Sequence, residues 1–269
     1  MKRIKNNITA VPFIFLGEKT LKIIKKLGRV VILFAKGLFF GFIPPFQFSK
    51  IIDQIYFIGA KSMLLICLVG SFTGMVLGLQ GYYTLVKFGA EGMLGTAVAL
   101  SIIRELGPVL TALMITGRAG SAMAAELGIM RNSEQIDALK TMNIDPVRFL
   151  ISPKIIASII SFPLLTAVFD VIGILGGFIT GSLLLGIDTG TYFSSIELNL
   201  VISDISEGLI KSIIFASLVT AICCYYGYYT HKTRAGFGAK GVSQSTTSAV
   251  VTSSVFIMAG DYVVTSFLL

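Results

Sequence analysis

Two charged residues lie inside a run of residues that is otherwise apolar enough to cross a membrane. Arg104 and Glu105 occur within "AVALSIIRELGPVLTALMITG", residues 97 to 117, just before Gly107 and Pro108. A proline inside a helix lacks an N–H and clashes with the carbonyl four residues earlier, which here belongs to Arg104. A charge at mid-bilayer costs at least about 2.5 to 3.5 kcal/mol on insertion scales, so these side chains should face a partner or a wet cavity. Two interpretations follow: an ion-pairing element that holds helices together, or the polar floor of a binding cavity.

The composition assigns the chain to the polytopic membrane proteins. Hydrophobic residues make up 54% of the 269 residues and charged residues only 13%, which excludes an ordinary soluble domain. The three cysteines lie in apolar runs without CxxC spacing, and the sequence has one histidine, so we expect neither a disulfide framework nor a metal site. The sequence has no G-x-x-x-x-G-K-[ST] phosphate loop. We therefore expect no cofactor in this chain, no enzyme activity, and ATP bound only by a partner.

The apolar runs predict an all-α fold with five transmembrane helices, because a span needs about 20 apolar residues. The N-terminal 50 residues contain ten Lys and Arg against one acid, and the connections 127–152 and 231–246 contain three Lys or Arg each, whereas residues 186–208 contain four acids and neither Lys nor Arg. The positive-inside rule then places the N-terminus in the cytoplasm and the C-terminus on the periplasmic side. The spans are expected near residues 58–83, 97–122, 153–185, 209–230 and 247–268.

Residues 1–45 are predicted to form an N-terminal helix that lies along the cytoplasmic membrane interface. Its basic residues fall on one face of a helix, and apolar residues fill the remainder. An apolar helix with a basic stripe is typical of an interfacial helix beside anionic headgroups. A first spanning helix is the alternative, which the number of lysines disfavours. The stripe consists of Lys22, Lys25, Lys26, Arg29 and Lys36.

Two predicted spans carry glycines at every fourth position, which lets another helix backbone approach closely. This spacing indicates either packing within one chain or a contact between two copies, with no preference between them. The two ladders are Gly70, Gly74 and Gly78, and Gly173, Gly177 and Gly181.

The cytoplasmic connection is predicted to contain a short helix at about residues 132–143. Asn132 is expected to cap it, with Gln135 as the reciprocal partner. Ile136, Leu139 and Met142 fall on one side and form an apolar face that the short helix cannot cover itself. We interpret this face as a docking element; packing on the bilayer surface is the alternative.

The segment "VALSIIRELGPVLTALMITGRAGSAMAAELGIMRNSEQIDALKTMNIDPVRFLISPKIIA" resembles the MlaE/YrbE family of permeases. The resemblance extends through "GMVLGLQGY" and "GAKGVSQSTTSAVV" and covers most of the chain. It implies a permease domain over residues 46–269 that acts as a homodimer in the bacterial inner membrane. The expected partners are an ABC ATPase, a periplasmic MCE-domain protein, a small STAS-domain protein and membrane lipids, without nucleic acid. The implied function is ATP-driven phospholipid transport that supports outer-membrane lipid asymmetry.

The resemblance also transfers two sets of residues. In the family the lipid site lies between protomers, and the cytoplasmic helix seats in the ATPase. The lipid-binding set is Leu77, Gln80, Tyr82, Leu85, Arg104 and Glu105. The ATPase-coupling set is Glu134, Gln135, Ile136, Asp137, Leu139 and Met142.

Two other function classes fit the residues. An ion-coupled secondary lipid transporter or channel would use Arg104, Glu105 and Asp170 as an ion path, but five spans without an internal repeat disfavour it. A structural scaffold would use the Arg-Glu pair only to hold helices. Transport without an ATPase would indicate the first class, and unaltered transport after removal of both charges would indicate the second.

Overall fold

A computed structural model describes residues 11–44, 47–232 and 238–268, and within these ranges the chain is helical without any strand. The prediction of an all-α membrane protein with five spans is confirmed. Each helical segment begins earlier than predicted; the fourth begins at Ile202 rather than at residue 209. The segments long and apolar enough to cross a membrane are Phe48–Phe88, Glu91–Asn132, Val147–Leu184, Ile202–Tyr228 and Ala239–Phe267.

The first and third spans form the closest helix pair of the bundle. The first consists of α2 (Phe48–Ile58) and α3 (Met63–Leu85), and the third contains α8 (Ser152–Phe178). The backbones of α3 and α8 meet along both glycine ladders: a Cβ at Gly74 would overlap the carbonyl of Gly173, and one at Gly78 would lie 3.0 Å from the carbonyl oxygen of Gly177. These ladders therefore pack within one chain, which decides between the two interpretations of their spacing.

The second span is not a continuous α-helix. It consists of α4 (Leu94–Ser101), α5 (Gly107–Ile115) and α6 (Ser121–Asn132), joined by π-helical turns at Ile102–Leu106 and Thr116–Gly120. The first turn ends at Leu106, two residues before Pro108, which is the second residue of α5. A π-bulge accommodates a backbone that cannot keep the regular i to i−4 pattern. The predicted opening of the helix around Arg104 is confirmed.

The N-terminal helix α1 (Val11–Gly41) does not meet the criteria for a span. The fourth and fifth spans are formed by α10 (Ile202–Tyr228) and α11 (Ala239–Leu268). Leu33 is buried against α8 and the last turns of α10, in a cluster with Ile151, Ile155 and Tyr225. On its other side it exposes large apolar residues and, at Lys25, Arg29 and Lys36, basic ones. This packing is compatible with a helix that lies along the membrane interface at the predicted cytoplasmic end of the bundle. The position of α1 relative to the bilayer stays a prediction. The exposed apolar residues include Leu21, Ile24, Leu27, Val31 and Ile32.

The connection that is predicted to be cytoplasmic folds differently from the expected capped helix. Helix α6 continues to Asn132, and α7 spans only Gln135–Thr141. The predicted capping box is wrong: Asn132 donates a hydrogen bond to the carbonyl of Gly238 at 3.0 Å, and Glu134 occupies the N-cap position of α7 with a φ of 59°. The α6 helix propagates through Asn132 because its packing against α10 and α11 outweighs a local capping preference.

Helix α9 (Thr189–Asn199) was not predicted and precedes α10 (Ile202–Tyr228) and α11 (Ala239–Leu268). It lies against α4, where the hydroxyl of Thr96 donates to the carbonyl of Ser195 at 2.6 Å. Tyr192 is fully buried and donates to the carbonyl of Ile174 at 3.1 Å. The acidic segment 186–208 is thus a helix that covers the ends of two spans, followed by the first turns of α10.

Candidate functional site

Arg104 forms an ion pair with a residue that the sequence gave no reason to place beside it. Its guanidinium binds the carboxylate of Asp204, with the Nε to Oδ1 distance at 3.0 Å. Asp204 lies in the first turn of α10 and is 1% exposed; its other carboxylate oxygen accepts the backbone N–H of Val201 at 3.0 Å. The same carboxylate therefore caps α10 and holds the π-helical turn of the second span.

Lys211, one of the largest fully buried side chains, completes the arrangement around the proline. Its ammonium donates to the carbonyl oxygen of Arg104 at 2.8 Å, the carbonyl that Pro108 deprives of its helical partner. The same ammonium lies 2.8 Å from Glu105 and 3.3 Å from Asp261 of α11. One lysine thus satisfies the opened backbone and neutralises two acids on different helices.

These five residues, Arg104, Glu105, Asp204, Lys211 and Asp261, are called the charged cluster below. Asp204 lies near the start of α10 and Asp261 near the end of α11, so the cluster sits toward the end of the bundle that is predicted to face the periplasm. Intramembrane charges are tolerated when they are paired in this way. Adjacent Arg104 and Glu105 bind separate partners, as expected from residues that point about 100° apart.

The charged cluster also forms one wall of an open cavity. A cavity of about 290 Å³ is lined by Arg104, Glu105 and Lys211 together with Leu100, Ser101, Glu207 and Thr265. The side chains of Arg104 and Glu105 are 39% and 41% exposed, so their pairing leaves donors and acceptors free to meet a ligand. Structural pairing and ligand contact are therefore compatible at these two residues.

A second cavity, of about 310 Å³, adjoins the first at Ser101, which lines both. Its walls come from the end of α3 and from α4 and include Leu77, Gln80, Thr84 and Leu85. Gln80, Thr84 and Ser101 are exposed, so the cavity opens toward the outside of this chain. The two cavities together, called the Ser101 groove below, have mostly apolar walls at one end and charged groups at the other, which suits an amphipathic ligand.

The structure brings together five of the six residues predicted to bind lipid. Leu77, Gln80 and Leu85 line one part of the Ser101 groove, and Arg104 and Glu105 line the other. Tyr82 lines neither cavity; it is half-buried, packs on the core, and its ring lies 5.9 Å from that of Tyr83. The cause is helical geometry, because Tyr82 is two residues from Gln80 and so points to another face of α3.

The predicted coupling residues divide into buried and exposed sets. Ile136 is fully buried, Leu139 is partly buried, and Met142 is 68% exposed. The prediction that all three form one uncovered face is therefore wrong for Ile136, which anchors α7 to its own chain. Glu134 and Gln135 are exposed beside it. The surface that α7 offers consists of Glu134, Gln135 and Met142, with Leu139 at its edge.

Asp137 forms two ion pairs, one within α7 and one that joins α7 to α6. Its carboxylate lies 3.0 Å from Lys140 and 2.8 Å from Arg131 at the end of α6. Chiefly through the hydrogen bond from Lys140, these partners hold the pKa of Asp137 below its ordinary value. Arg131 also donates to Nδ1 of His231, just after α10, at 3.1 Å. The second and fourth spans are thereby linked at the end that carries α7.

Sequence reasoning did not assign Lys211, Asp204 or Asp261 to the site. A signal existed for Lys211, because a lysine within "EGLIKSIIFASLV" is as costly in a membrane as Arg104 and needs a partner. Asp204 was assigned to an outer connection because it belongs to an acidic run. Only the packing of α10 against α5 and the π-helical turn shows that it lies inside the bundle.

Comparison with known proteins yields one family throughout. The family model described as Permease MlaE matches residues 51–267. A probable ABC transporter permease protein of Rickettsia bellii is 41% identical over 250 residues, which cover 93% of this chain and 95% of the relative. The intermembrane phospholipid transport system permease protein MlaE of Haemophilus influenzae is 41% identical over 259 residues, 94% of this chain and 95% of the relative. The chloroplastic protein TRIGALACTOSYLDIACYLGLYCEROL 1 of Arabidopsis thaliana is 36% identical over 240 residues, 89% of this chain and 65% of the relative.

Proposed function

Because this chain belongs to the MlaE permease family, we propose that it is the membrane subunit of an ABC transporter that moves phospholipid between the inner membrane and a periplasmic MCE-domain protein. The observation that carries the proposal is the Ser101 groove, which joins apolar walls to partly exposed charges. Acyl chains lie against Leu77 and Leu85, and a phosphate lies near the free donors of Arg104. The name of the relative from Haemophilus influenzae supports phospholipid as the cargo.

The groove is completed by a second copy of the chain. Its opening lies on the outer faces of α3 and α4, whose exposed residues include Leu79 and Tyr83. Since the glycine ladders are used within the chain, a homodimer contact must be made by other surfaces, and the mouth of the Ser101 groove is the one that a shared lipid site requires. Two facing grooves would enclose a lipid that one groove covers only on one side.

ATP hydrolysis takes place in a partner ATPase, which docks on α7. The sequence offers no phosphate loop, and several relatives are named as ABC transporter permease proteins. The docking surface is the exposed set of Glu134, Gln135 and Met142. A STAS-domain protein completes the assembly on the cytoplasmic side, and the N-terminus faces the cytoplasm in the inner membrane.

A transport assay with a blocked groove tests the proposal. Proteoliposomes contain the permease, its ATPase and its MCE partner, and transfer of fluorescent phospholipid is measured with and without ATP. Ser101→Trp should fill the junction of the two cavities and lower ATP-driven transfer at least about tenfold, equivalent to ~1.4 kcal/mol. Val171→Trp, on an exposed face of α8 that lines neither cavity, is the matched control and should transfer lipid normally.

Equal transfer by both tryptophan variants would exclude the Ser101 groove as the lipid path. The same assay also tests the alternative of an ion-coupled secondary transporter, because paired charges inside a membrane occur in the ion paths of such carriers. The permease without its ATPase should transfer no lipid under a proton or sodium gradient. Gradient-driven transfer by the permease alone would contradict the ABC assignment.

A further inference from the structure

A second groove lies far from the Ser101 groove, where the N-terminal helix crosses the fourth and fifth spans. It has a volume of about 410 Å³ and takes its walls from α1, α10 and α11. Nothing in the proposed transport path uses it. The lining residues are Lys26, Leu27 and Val30 of α1, Leu218, Ala221, Ile222 and Tyr226 of α10, and Thr252 and Phe256 of α11. We call it the α1 groove.

The polar groups of the α1 groove are confined to one end. Lys26 donates a hydrogen bond to the hydroxyl of Tyr226, and that hydroxyl lies 3.0 Å from the hydroxyl oxygen of Thr252. The Lys26 ammonium also lies 4.3 Å from the centre of the Tyr226 ring. An ammonium has three donors, so two remain for a ligand. Lys26 is the one charged residue among the described residues that line the groove, which gives this end a positive charge.

The other end of the α1 groove is apolar and extends along α10 and α11 toward the middle of their predicted spans. Leu218 lies two turns before Tyr226 on α10, a distance of about 12 Å at the rise of an α-helix. Phe256 lies one turn beyond Thr252 on α11. Leu27 and Val31 of α1 are exposed beside the opening. A positive, hydrogen-bonding end and an apolar slot that leads toward the membrane centre match the polarity of a phospholipid.

We propose that the α1 groove binds one anionic phospholipid of the leaflet that contacts α1, with its phosphate at Lys26 and one acyl chain between Leu218 and Phe256. We choose an anionic lipid rather than a neutral one because of charge complementarity. The groove has a lysine at its mouth and no acid among its described lining residues. The bound lipid fastens α1 to α10 and α11.

Photochemical labelling tests this site. The full-length chain is reconstituted in phosphatidylcholine vesicles that contain a phosphatidylglycerol with a diazirine on its acyl chain, and the labelled residues are located by mass spectrometry. We expect adducts on α10 around Leu218 to Ile222 and on α11 near Phe256. Unlabelled phosphatidylglycerol should compete for labelling, whereas added phosphatidylcholine should not.

Variants separate the two ends of the α1 groove. Lys26→Ala should lower labelling severalfold and remove the preference for the anionic lipid, while Lys25→Ala, one residue away and pointing elsewhere, should leave both unchanged. Ala221→Phe should fill the apolar slot and abolish labelling. Val30→Trp should fill the same slot from α1. The test uses whichever of the two variants has the size-exclusion profile and thermal midpoint of the unmodified protein.

Three outcomes would overturn the proposal. Labelling that persists in a well-folded Ala221→Phe or Val30→Trp protein would show that the slot holds no acyl chain. Equal competition by phosphatidylcholine would show that the site does not select an anionic headgroup. In a mixture of two single variants, a disulfide between a copy that carries Leu27→Cys and a copy that carries Ala221→Cys, with loss of labelling, would show that a second copy occupies the groove. None of these outcomes bears on the Ser101 groove, because labelling is measured without transport.

Discussion

The charged cluster depends on Lys211 more than on the Arg-Glu pair that the sequence makes conspicuous. Its side chain is 2% exposed and contacts Glu105, Asp261 and the carbonyl of Arg104. Arg104 and Glu105 keep about two-fifths of their side-chain surface open. At this site, therefore, the buried Lys211 contacts only groups of the fold, whereas Arg104 and Glu105 keep surface exposed to the lipid that we propose.

Replacement of Lys211 should cost more stability than any other change in the charged cluster. Lys211→Met leaves two acids without their cation and one backbone carbonyl without its donor. Breaking a buried ion pair from one side costs about 3 to 5 kcal/mol, and the partial exposure of the two acids favours the lower figure. We expect a fall of several degrees in the thermal midpoint of the purified protein. The exposed Lys87→Met is the control, and equal midpoints for the two variants would contradict this role.

At the scale of the element, the backbones of the two glycine-rich helices differ from the backbone of the second span. The glycines of α3 and α8 allow these two helices to pack closely against each other. The helix around residues 97–122, in contrast, is interrupted twice by π-helical turns, and the first interruption positions Arg104 toward α10. Close packing of α3 on α8 requires regular helical backbones. The charged cluster, in contrast, requires the irregular backbone of a π-helical turn.

The contact between α3 and α8 predicts a strict size limit at Gly74. A methyl group at Gly74 would overlap the Gly173 carbonyl, a backbone group that cannot rotate away. Gly74→Ala should therefore destabilise the protein by about 1 to 3 kcal/mol, the usual cost of overpacking. Gly117→Ala, in another span with no described atom within 4 Å of the added carbon, should be tolerated. Size-exclusion profiles and thermal midpoints of the two variants measure the difference, and similar losses for both would contradict it.

In the α7 region, we expect protein stability and ATPase binding to depend on different residues. Ile136→Ala should lower the free energy of unfolding by about 2 to 5 kcal/mol, because Ile136 is fully buried. Met142→Ala should change stability by no more than about 0.5 kcal/mol, since its side chain is exposed, yet it should weaken co-purification of the ATPase. The two variants control each other. If Met142→Ala retained both the ATPase and lipid-stimulated turnover, the docking surface would have to lie elsewhere.

The sequence predicted elements better than it predicted contacts between them. Hydropathy located all five spans, since length and apolarity are local properties, and Pro108 located the opening at Arg104 because its clash is local as well. The partners of Arg104 and Glu105 lie about a hundred or more residues away, so no local pattern identified Asp204, Lys211 or Asp261. The Asn132 capping box failed because packing extended α6 past a local stop signal.

At the scale of the whole molecule, the two ends of the bundle have distinct chemistry. One end holds the charged cluster, the Ser101 groove and α9. The other end holds α7, the α1 groove and the link between Arg131, Asp137 and His231. The second span runs through both ends, from α4 at the groove to α6 beside α7. It is the element through which docking of an ATPase on α7 would act on a lipid at Ser101.

The central claim is that a phospholipid occupies the Ser101 groove and responds to ATP. A photo-cross-linking amino acid at Leu77, inside the groove, is compared with one at Phe72, an exposed position on another face of α3, in vesicles that contain the ATPase and the MCE partner. We predict phospholipid adducts at both positions, with a severalfold change in yield on addition of ATP only at Leu77. An absence of adducts at Leu77, or a yield there that ATP leaves unchanged, would contradict the account.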